Sequence, residues 1–394
     1  MKGRQLLQRI LKRQSVDRLS WTTLVDDVTR SGMSDEVRRL SPIEFYRLIG
    51  CDVVQLGNYG LAQELRVPSP ARLVCPDVKQ EVHYEGDGAL NAQEGEPVGE
   101  IEIGTGGPTV DQTVTLRKVS PWGTLATVLK HDHPVEHPVK SLKDLRTLRA
   151  IWEASDYVET QGMEEAFARV ERHIGDDGIY VPWLDPSPVQ NLLEYEMGVG
   201  NFYYLLDDHR REVEELLAIM HAKRLQEYEI VARRTSAQAV IAMENTSSTL
   251  ISPQLYRQYS LPQIRDYVDV LHRYGKIAVL HMCGHLKALL PAVRETGLDG
   301  INAVTPPPVG TTSFKDILDA FGDDFLLFGG LLHPTVFHKP GLDCDELSKC
   351  LDSLYTPRLR RARLVLWLAV DGLRTPLERF QCVARWMSAN GATA

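Results

Sequence analysis

The sequence has few of the features that mark secreted, membrane or nucleic-acid-binding proteins. Six cysteines in 394 residues are too sparse for a disulfide framework. The longest apolar run, Leu364 to Val370, is far shorter than the roughly 20 residues that cross a bilayer. A net charge of −9 argues against a general nucleic-acid surface. The first residues, Met1 to Gln5, carry charges without a signal-peptide apolar core, so we expect a cytoplasmic protein.

What the sequence does contain is a regular alternation of short apolar runs and helical patterns. With 43% hydrophobic and 25% charged residues, the composition is that of an ordinary globular protein. The longer helical patterns include 34–49, 212–234 and 252–274. The apolar runs predict eight strands, at residues 19–25, 52–56, 179–184, 239–243, 277–280, 300–304, 325–328 and 364–370.

The pattern changes between residues 68 and 138. Polar and apolar residues alternate at 80–84, 100–103 and 113–119, and Gly-rich turns separate these runs. Such alternation is typical of antiparallel hairpins with one solvent-exposed face. We therefore expect an antiparallel β-hairpin insertion after the second strand.

Eight strands, each followed by helix, predict an α/β fold of the (β/α)8 TIM-barrel type. We expect residues 1–394 to form one barrel domain with the insertion at about 68–138. A doubly wound open sheet is the alternative, but no Gly-x-Gly-x-x-Gly turn follows the first strand.

Polar side chains collect where the predicted strands end. In a barrel these ends meet at one rim, which is where active sites of this fold lie. Each residue also has a simpler explanation, because Asp185 before proline and Asp371 before glycine are ordinary turn signals. In chain order the strand-end residues are Asp26 and Asp27, Asn58, Asp185, Glu244 and Asn245, His281 and Cys283, Thr305, Gly329 and Gly330, and Asp371.

His281 and Cys283 are the most specific of these residues. They stand two apart at the end of the apolar run Ile277 to Leu280, so on a strand they share one face. An imidazole and a thiolate on one face are the beginning of a zinc site. The alternative is a satisfied core histidine beside a small buried cysteine, and zinc needs further ligands.

Several segments resemble the uroporphyrinogen decarboxylase superfamily. The resemblance runs along most of the chain, is densest from Asp185 onward and implies a (β/α)8 barrel. The segments are Ser120-Pro-Trp-Gly-Thr-Leu125, Pro138-Val-Lys-Ser-Leu-Lys-Asp144, Leu250-Ile-Ser-Pro-Gln-Leu-Tyr256, Leu261-Pro262, Gly275-Lys-Ile-Ala-Val-Leu-His-Met-Cys-Gly284 and Leu298-Asp-Gly-Ile-Asn302.

The superfamily implies two chemistries. Its decarboxylases grip the carboxylate arms of a porphyrinogen with paired arginines near the first strand, where this chain has Asp26 and Asp27. Like charges repel at close range, so we do not expect uroporphyrinogen as the substrate. The other branch moves methyl groups to or from a corrinoid cobalt, as in methylcobamide:coenzyme M methyltransferase, using zinc held by His-x-Cys and a second cysteine near the last strand.

His281 and Cys283 match the first part of that zinc motif, but the second part differs. The nearest thiol after the last strand, Cys382, lies inside a predicted helix that carries it away from the rim. Asp371 and Glu244 are therefore the expected third and fourth metal ligands. Glu244, Asp185 and Asp26 are the candidate catalytic residues.

These residues favour a zinc-dependent methyltransferase. Zinc binds a thiol as its thiolate or polarises the oxygen of a methyl ether, and a carboxylate-containing site leaves more positive character on the metal. We therefore expect demethylation of a methyl ether or similar donor. No corrinoid-binding domain is visible, so the cobalamin is expected on a partner carrier protein. Whether the chain forms a homodimer is open.

Three other functions stay open. One is a zinc-independent decarboxylase or lyase of a small carboxylic acid that uses Glu244 and Asp185. Another is a thiol-methylating methylcobamide enzyme. The third is a non-catalytic binding protein on a degenerate barrel, which the concentration of ionisable groups at the rim disfavours.

Overall fold

The computed structural model describes residues 1–85, 113–130, 133–330, 337–370 and 372–391. The strands, numbered in chain order, are β1 Ser20–Leu24, β2 Val53–Leu56, β3 Ala71–Val74, β4 Lys79–Glu85, β5 Thr113–Ser120, β6 Gly123–Lys130, β7 His133–Glu136, β8 Asp156–Glu159, β9 Gly178–Val181, β10 Trp183–Leu184, β11 Ala239–Ala242, β12 Ile277–His281, β13 Gly300–Asn302, β14 Leu326–Phe328 and β15 Leu364–Ala369.

The α-helices of the described residues lie before, between and after these strands. They are α1 Gly3–Leu11, α2 Asp27–Arg30, α3 Asp35–Arg38, α4 Pro42–Ile49, α5 Leu142–Ala154, α6 Met163–Ile174, α7 Pro188–Asn191, α8 Gly198–Asp208, α9 Arg210–Arg234, α10 Pro253–Leu255, α11 Leu261–Arg273, α12 Leu290–Arg294, α13 Phe314–Phe321, α14 Cys344–Leu354, α15 Pro357–Arg361 and α16 Leu377–Asn390. Two π-helical turns, Leu192–Glu196 and Tyr256–Ser260, follow α7 and α10.

The strands close into an eight-stranded parallel barrel. Seven of them form one sheet in the order β1-β15-β14-β13-β12-β11-β10, and β2 pairs in parallel with β9. Single backbone hydrogen bonds join the remaining edges, from Asp52 N to Trp21 O at 2.9 Å and from Ile241 N to Pro182 O at 3.1 Å. β9 and β10 are one strand interrupted at Pro182, because proline has no N–H to donate to the ladder. The predicted (β/α)8 barrel is confirmed.

Helix α1 closes the amino end of the barrel. Its buried residues Leu6, Leu7, Ile10 and Leu11 belong to the same apolar cluster as the inward-facing side chains of the strands. Each fully buried leucine contributes roughly 1.5–3 kcal/mol. The Arg363 guanidinium, just before β15, donates to the carbonyls of Ile10 and Leu11 at the end of the helix.

An antiparallel sheet in the order β4-β5-β6-β7 lies between β2 and β9 in the chain. Its register joins Lys79 to Val119 and Ser120 to Gly123 across successive strands. A second antiparallel pair joins β3 to β8. The run predicted as a strand at 100–103 lies outside the described residues.

Two predicted helices differ from the structure. The helix expected over 34–49 is split into α3 and α4, because Ser41 caps a new helix, Glu44 completes the capping box and Pro42 occupies the first turn. The helix expected over 252–274 contains the π-helical turn Tyr256–Ser260. Within the described parts of the chain, none of the helices combines the length and apolar character that a membrane span requires.

Candidate functional site

His281 ends β12 and is held by the neighbouring strand. The register places it beside Asn302 of β13, and the His281 Nδ1 to Asn302 Oδ1 distance is 2.6 Å. The Asn302 amide nitrogen donates to the carbonyl of Phe328, so its oxygen faces the imidazole as an acceptor. We infer that the His281 Nδ1 carries the proton and that Nε2 keeps its lone pair. Burial lowers the pKa of His281, which maintains the neutral ring.

Gly329 makes this arrangement possible. Its φ of +119° lies in the region that favours glycine, and a Cβ there would lie 2.6 Å from the Asn302 Nδ2. A side chain at position 329 would therefore displace the amide that orients His281.

Cys283 follows β12 and is open to solvent at the carboxyl end of the barrel. Its Sγ lies 3.6 Å from Asn245 Oδ1. Desolvation by the surrounding protein raises the pKa of the Cys283 thiol, and the negative charge of Glu194 raises it further. Without a cation beside it, Cys283 is therefore a neutral thiol at neutral pH.

Glu194 is a site residue that the sequence reasoning missed. It lies in the π-helical turn Leu192–Glu196, and its carboxylate accepts from Asn245 Nδ2 at 2.9 Å. Asn245 has a φ of +38°, an uncommon backbone conformation for a non-glycine residue that is frequent at functional sites. Glu194 does not follow a predicted strand, so the strand-end rule could not select it. The π-helical turn that positions it was not predicted either, because one extra residue in a helical turn leaves the apolar pattern of the sequence almost unchanged.

Glu244 lies at the end of β11 but has a different set of neighbours. It is 1% exposed, and its two carboxylate oxygens accept from the Ser187 N–H at 2.8 Å and the Ser187 hydroxyl at 2.7 Å. Thr246 Oγ1 lies 3.4 Å away. Burial raises the pKa of Glu244 to about 7, against the hydrogen bonds from Ser187, which lower it.

The raised pKa of Glu244 predicts a pH-dependent stability. An acid whose pKa rises from 4.5 to about 7 on folding stabilises the fold fully below pH 4.5 and loses that contribution as pH rises through 7. At 1.36 kcal/mol per pKa unit, the contribution is on the order of 3 kcal/mol. Urea unfolding of metal-free protein should therefore show wild type losing stability relative to Glu244→Gln between pH 5 and pH 8. A pH-independent difference between the two proteins would contradict this assignment.

The structure does not bring all the expected metal ligands together. Among the described residues, no group of three His, Cys, Asp or Glu side chains is arranged to hold a metal ion. Glu244 therefore does not join His281 and Cys283 in the arrangement seen here. Asp371, the other expected ligand, lies outside the described residues.

The two aspartates expected to be catalytic have structural partners. Asp26 caps α2 by accepting from the Thr29 N–H at 2.7 Å, and its other oxygen accepts from the Gly372 N–H at 2.8 Å. It thereby ties the end of β1 to the loop after β15. Asp185 is half-exposed and pairs with the buried Arg224 at 3.3 Å.

Cys382 is bonded to another cysteine and is not a free thiol. It forms a disulfide with Cys344, with the two Cα atoms 5.4 Å apart, and this bond joins α14 to α16. This pairing was not expected, because the six cysteines are sparse and scattered along the chain. Cys283 is a free thiol.

The comparisons with known proteins identify the family. The sequence model of the uroporphyrinogen decarboxylase (URO-D) family matches residues 135–357, more than half of the chain. The chain belongs to the URO-D family. The matched segment contains Glu194, Glu244, His281, Cys283 and Asn302, whereas Asp26 and Asp371 lie outside it.

Structural comparison agrees with the URO-D barrel. A methyltransferase from Methanosarcina mazei superposes with a TM-score of 0.51 at 14% identity, covering 99% of each chain. D-Psicose 3-epimerase with D-tagatose from Clostridium cellulolyticum H10 gives a TM-score of 0.32 at 12% identity, covering 57% of this chain and 82% of the epimerase. The first likeness supports the fold, and the second is too weak to carry an argument. A search of curated proteins gives no match.

Proposed function

We propose that this URO-D family member is a methyltransferase that moves a methyl group between a small-molecule donor, such as a methyl ether, and a corrinoid cobalt on a partner protein. The observation that carries the proposal is the geometry at His281. Its Nδ1 is occupied by Asn302 Oδ1 at 2.6 Å, and no described residue bonds its Nε2. The fold likeness to the Methanosarcina mazei methyltransferase adds support.

The chemistry of His281 and Cys283 suits zinc. A neutral imidazole whose second nitrogen is fixed by an amide oxygen is the usual form of a zinc-binding histidine. Cys283 lies two residues further on and is accessible, and a cation beside it would favour the thiolate. His281 and Cys283 would hold the metal, and Asp371 remains the proposed third ligand. We propose that the buried Glu244 supports the site and is not a metal ligand, because Ser187 already donates to both of its carboxylate oxygens.

Zinc bound there would supply a Lewis acid that polarises the oxygen of a methyl ether. The chain's own residues prepare the site. Asn302 holds His281 in its neutral, coordinating form, and Asn245 lies between Cys283 and the Glu194 carboxylate. Asp26 stands at the end of β1 where the decarboxylases supply arginines, so we do not expect this chain to decarboxylate uroporphyrinogen.

Asn302 provides a test of the histidine geometry. Asn302→Ala is expected to weaken zinc binding by roughly 10–100-fold, the usual cost of losing a group that orients a ligand. Asn302→Asp keeps an acceptor for the His281 Nδ1 and should recover most of the affinity. Competition with a chromophoric chelator measures both variants. Asn201→Ala, which removes a half-buried amide bonded to the Met197 carbonyl, is the matched control.

The three cysteine variants test the metal assignment. After zinc repletion, Cys283→Ser should lose the metal, whereas Cys382→Ser and Cys350→Ser should each keep about one zinc per chain. The reason is that Cys382 is bonded to Cys344, and Cys350 is a thiol elsewhere on α14. Elemental analysis gives the zinc content, and visible spectroscopy follows the conversion of cob(I)alamin to methylcobalamin. Zinc loss in Cys382→Ser would instead indicate the two-cysteine site of a thiol-methylating enzyme.

A metal-independent decarboxylase or lyase is the second candidate. The observation in its favour is the Glu244 pKa of about 7, near the value that suits a general acid or base. Against it, Glu244 is 1% exposed and Ser187 donates to both oxygens of its carboxylate. Activity on a small carboxylic acid that survives complete removal of zinc by a chelator would favour this candidate.

A further inference from the structure

A cavity of about 390 Å³ lies between the barrel and the inserted antiparallel sheet. Strands β4 to β7 form one wall, through side chains such as Leu116 and Leu125. The loop after β2, from Gly57 to Tyr59, forms another part of the lining, together with β10 and the loop after it, from Trp183 to Pro186. The volume is in the range of small-molecule sites, roughly 300–1,000 Å³. Neither His281 nor Cys283 lines it.

Aromatic rings dominate the lining. Seven of them line the cavity, and prolines and leucines fill much of the remaining surface. Rings that surround a cavity favour a flat apolar ligand, because they pack against its faces or edges. The rings belong to Tyr59, Trp152, Tyr157, Phe167, Tyr180, Trp183 and Tyr195.

Three lining residues have buried polar atoms without a hydrogen-bond partner among the described residues. They are the Trp183 Nε1, the Asn191 Oδ1 and the Glu196 Oε2. Glu196 is 7% exposed, and its other oxygen accepts from Lys118 at 3.1 Å. Buried polar groups are nearly always bonded, so these three atoms indicate a missing polar partner. Two acceptors and one donor match a hydroxyl or amino group.

The charges of the lining disfavour an anion. Asp185, Glu196 and Glu227 carry carboxyl groups, and the two cations are already paired. Arg224 bonds Glu227 and Asp185, while Lys118 bonds Glu196. A carboxylate ligand would therefore find no unpaired cation in the lining.

We propose that this cavity binds a small aromatic molecule that carries a hydroxyl or amino group, with that group bonded to Glu196 and Asn191 and the ring packed among Trp183 and its neighbours. The proposal goes beyond methyl transfer, because binding here needs neither zinc nor cobalt.

The cavity also adjoins the barrel mouth. The π-helical turn Leu192–Glu196 contributes Tyr195 and Glu196 to the cavity. Its Glu194 bonds Asn245, which contacts Cys283. The turn that lines the cavity is therefore connected to Cys283 through Glu194 and Asn245.

Calorimetric titration of the full chain, without added zinc, tests this proposal with four probes of similar shape. We expect 4-ethylphenol and 4-ethylaniline to bind at least about tenfold more tightly than ethylbenzene, and 4-ethylbenzoate to bind least. Binding should also change the tryptophan fluorescence, because Trp152 and Trp183 line the cavity. Equal affinities for the four probes, or no binding of any, would overturn the proposal.

A variant pair locates the binding. Glu196→Gln should weaken 4-ethylaniline at least about fivefold, whereas Glu165→Gln, the same change on the exposed face of α6, should leave it unchanged. Wild-type affinity in both variants would show that the probe binds elsewhere and would overturn the assignment. Thermal unfolding checks that Glu196→Gln is folded. If this variant does not fold, the comparison of the four probes on the wild-type protein still tests the proposal.

Discussion

Replacing His281 by alanine is expected to remove zinc from the metal-repleted protein and to lower methyl transfer to cobalamin by at least about a hundredfold. The change deletes the one imidazole whose Nδ1 is fixed by Asn302 and whose Nε2 is left for coordination. Cys283 alone then offers a single described ligand, and zinc sites need three or four. Elemental analysis and the cob(I)alamin assay measure the two effects.

His285→Ala is the matched control, because this histidine is close in sequence but its ring contacts the Val309 carbonyl. It should keep both zinc and activity. If His281→Ala kept a full equivalent of zinc, the metal proposal would fail. If it lost zinc but kept methyl transfer, the metal would not take part in the reaction.

Replacing Arg224 by methionine is expected to lower the free energy of unfolding by about 3–5 kcal/mol at pH 8. Arg224 is 2% exposed and pairs with the buried Glu227 and with Asp185. Burial raises the pKa of Glu227 to about 7 even beside the guanidinium. Removing the cation raises that pKa further, so Glu227 becomes neutral and the cost of the substitution should be smaller at pH 5.5.

Urea unfolding at the two pH values measures this prediction. Arg233→Met is the control, since Arg233 is half-exposed and its pair with Glu159 lies at the surface. It should cost less than about 1 kcal/mol. The double variant Arg224→Met with Glu227→Leu should recover much of the loss, because no buried charge is then left unpaired. A large loss that is the same at both pH values would contradict the charge explanation.

The barrel was predictable because its evidence is local. The run Ile277 to Leu280 is apolar on successive residues, as a strand buried on both faces must be, and β12 covers it. The break at Pro182 follows from the missing N–H of that residue. The splitting of the helix at Ser41 had a signal in the spacing of Ser41 and Glu44, which form a capping box.

The candidate site was predictable only in part. The rule that polar residues gather at strand ends selected His281, Cys283 and Glu244, but it gave no information on which side chains face one another. Asn302 is the partner of His281 because of the register between β12 and β13, which a single sequence does not specify. Glu194 depends on a π-helical turn, and Ser187 reaches Glu244 across two strand ends.

The closure of the barrel by α1 has a consequence for the order of events in turnover. Leu6 and Leu7 are fully buried against the inward-facing strand residues. Ligands therefore cannot enter the barrel from its amino end. In the proposed reaction, small molecules and the carrier protein would therefore both approach the carboxyl end of the barrel. If the cobalt arrives on such a carrier, the donor has to enter first and the demethylated product has to wait until the carrier departs. Steady-state kinetics with varied donor and carrier should therefore show a compulsory sequence rather than random addition.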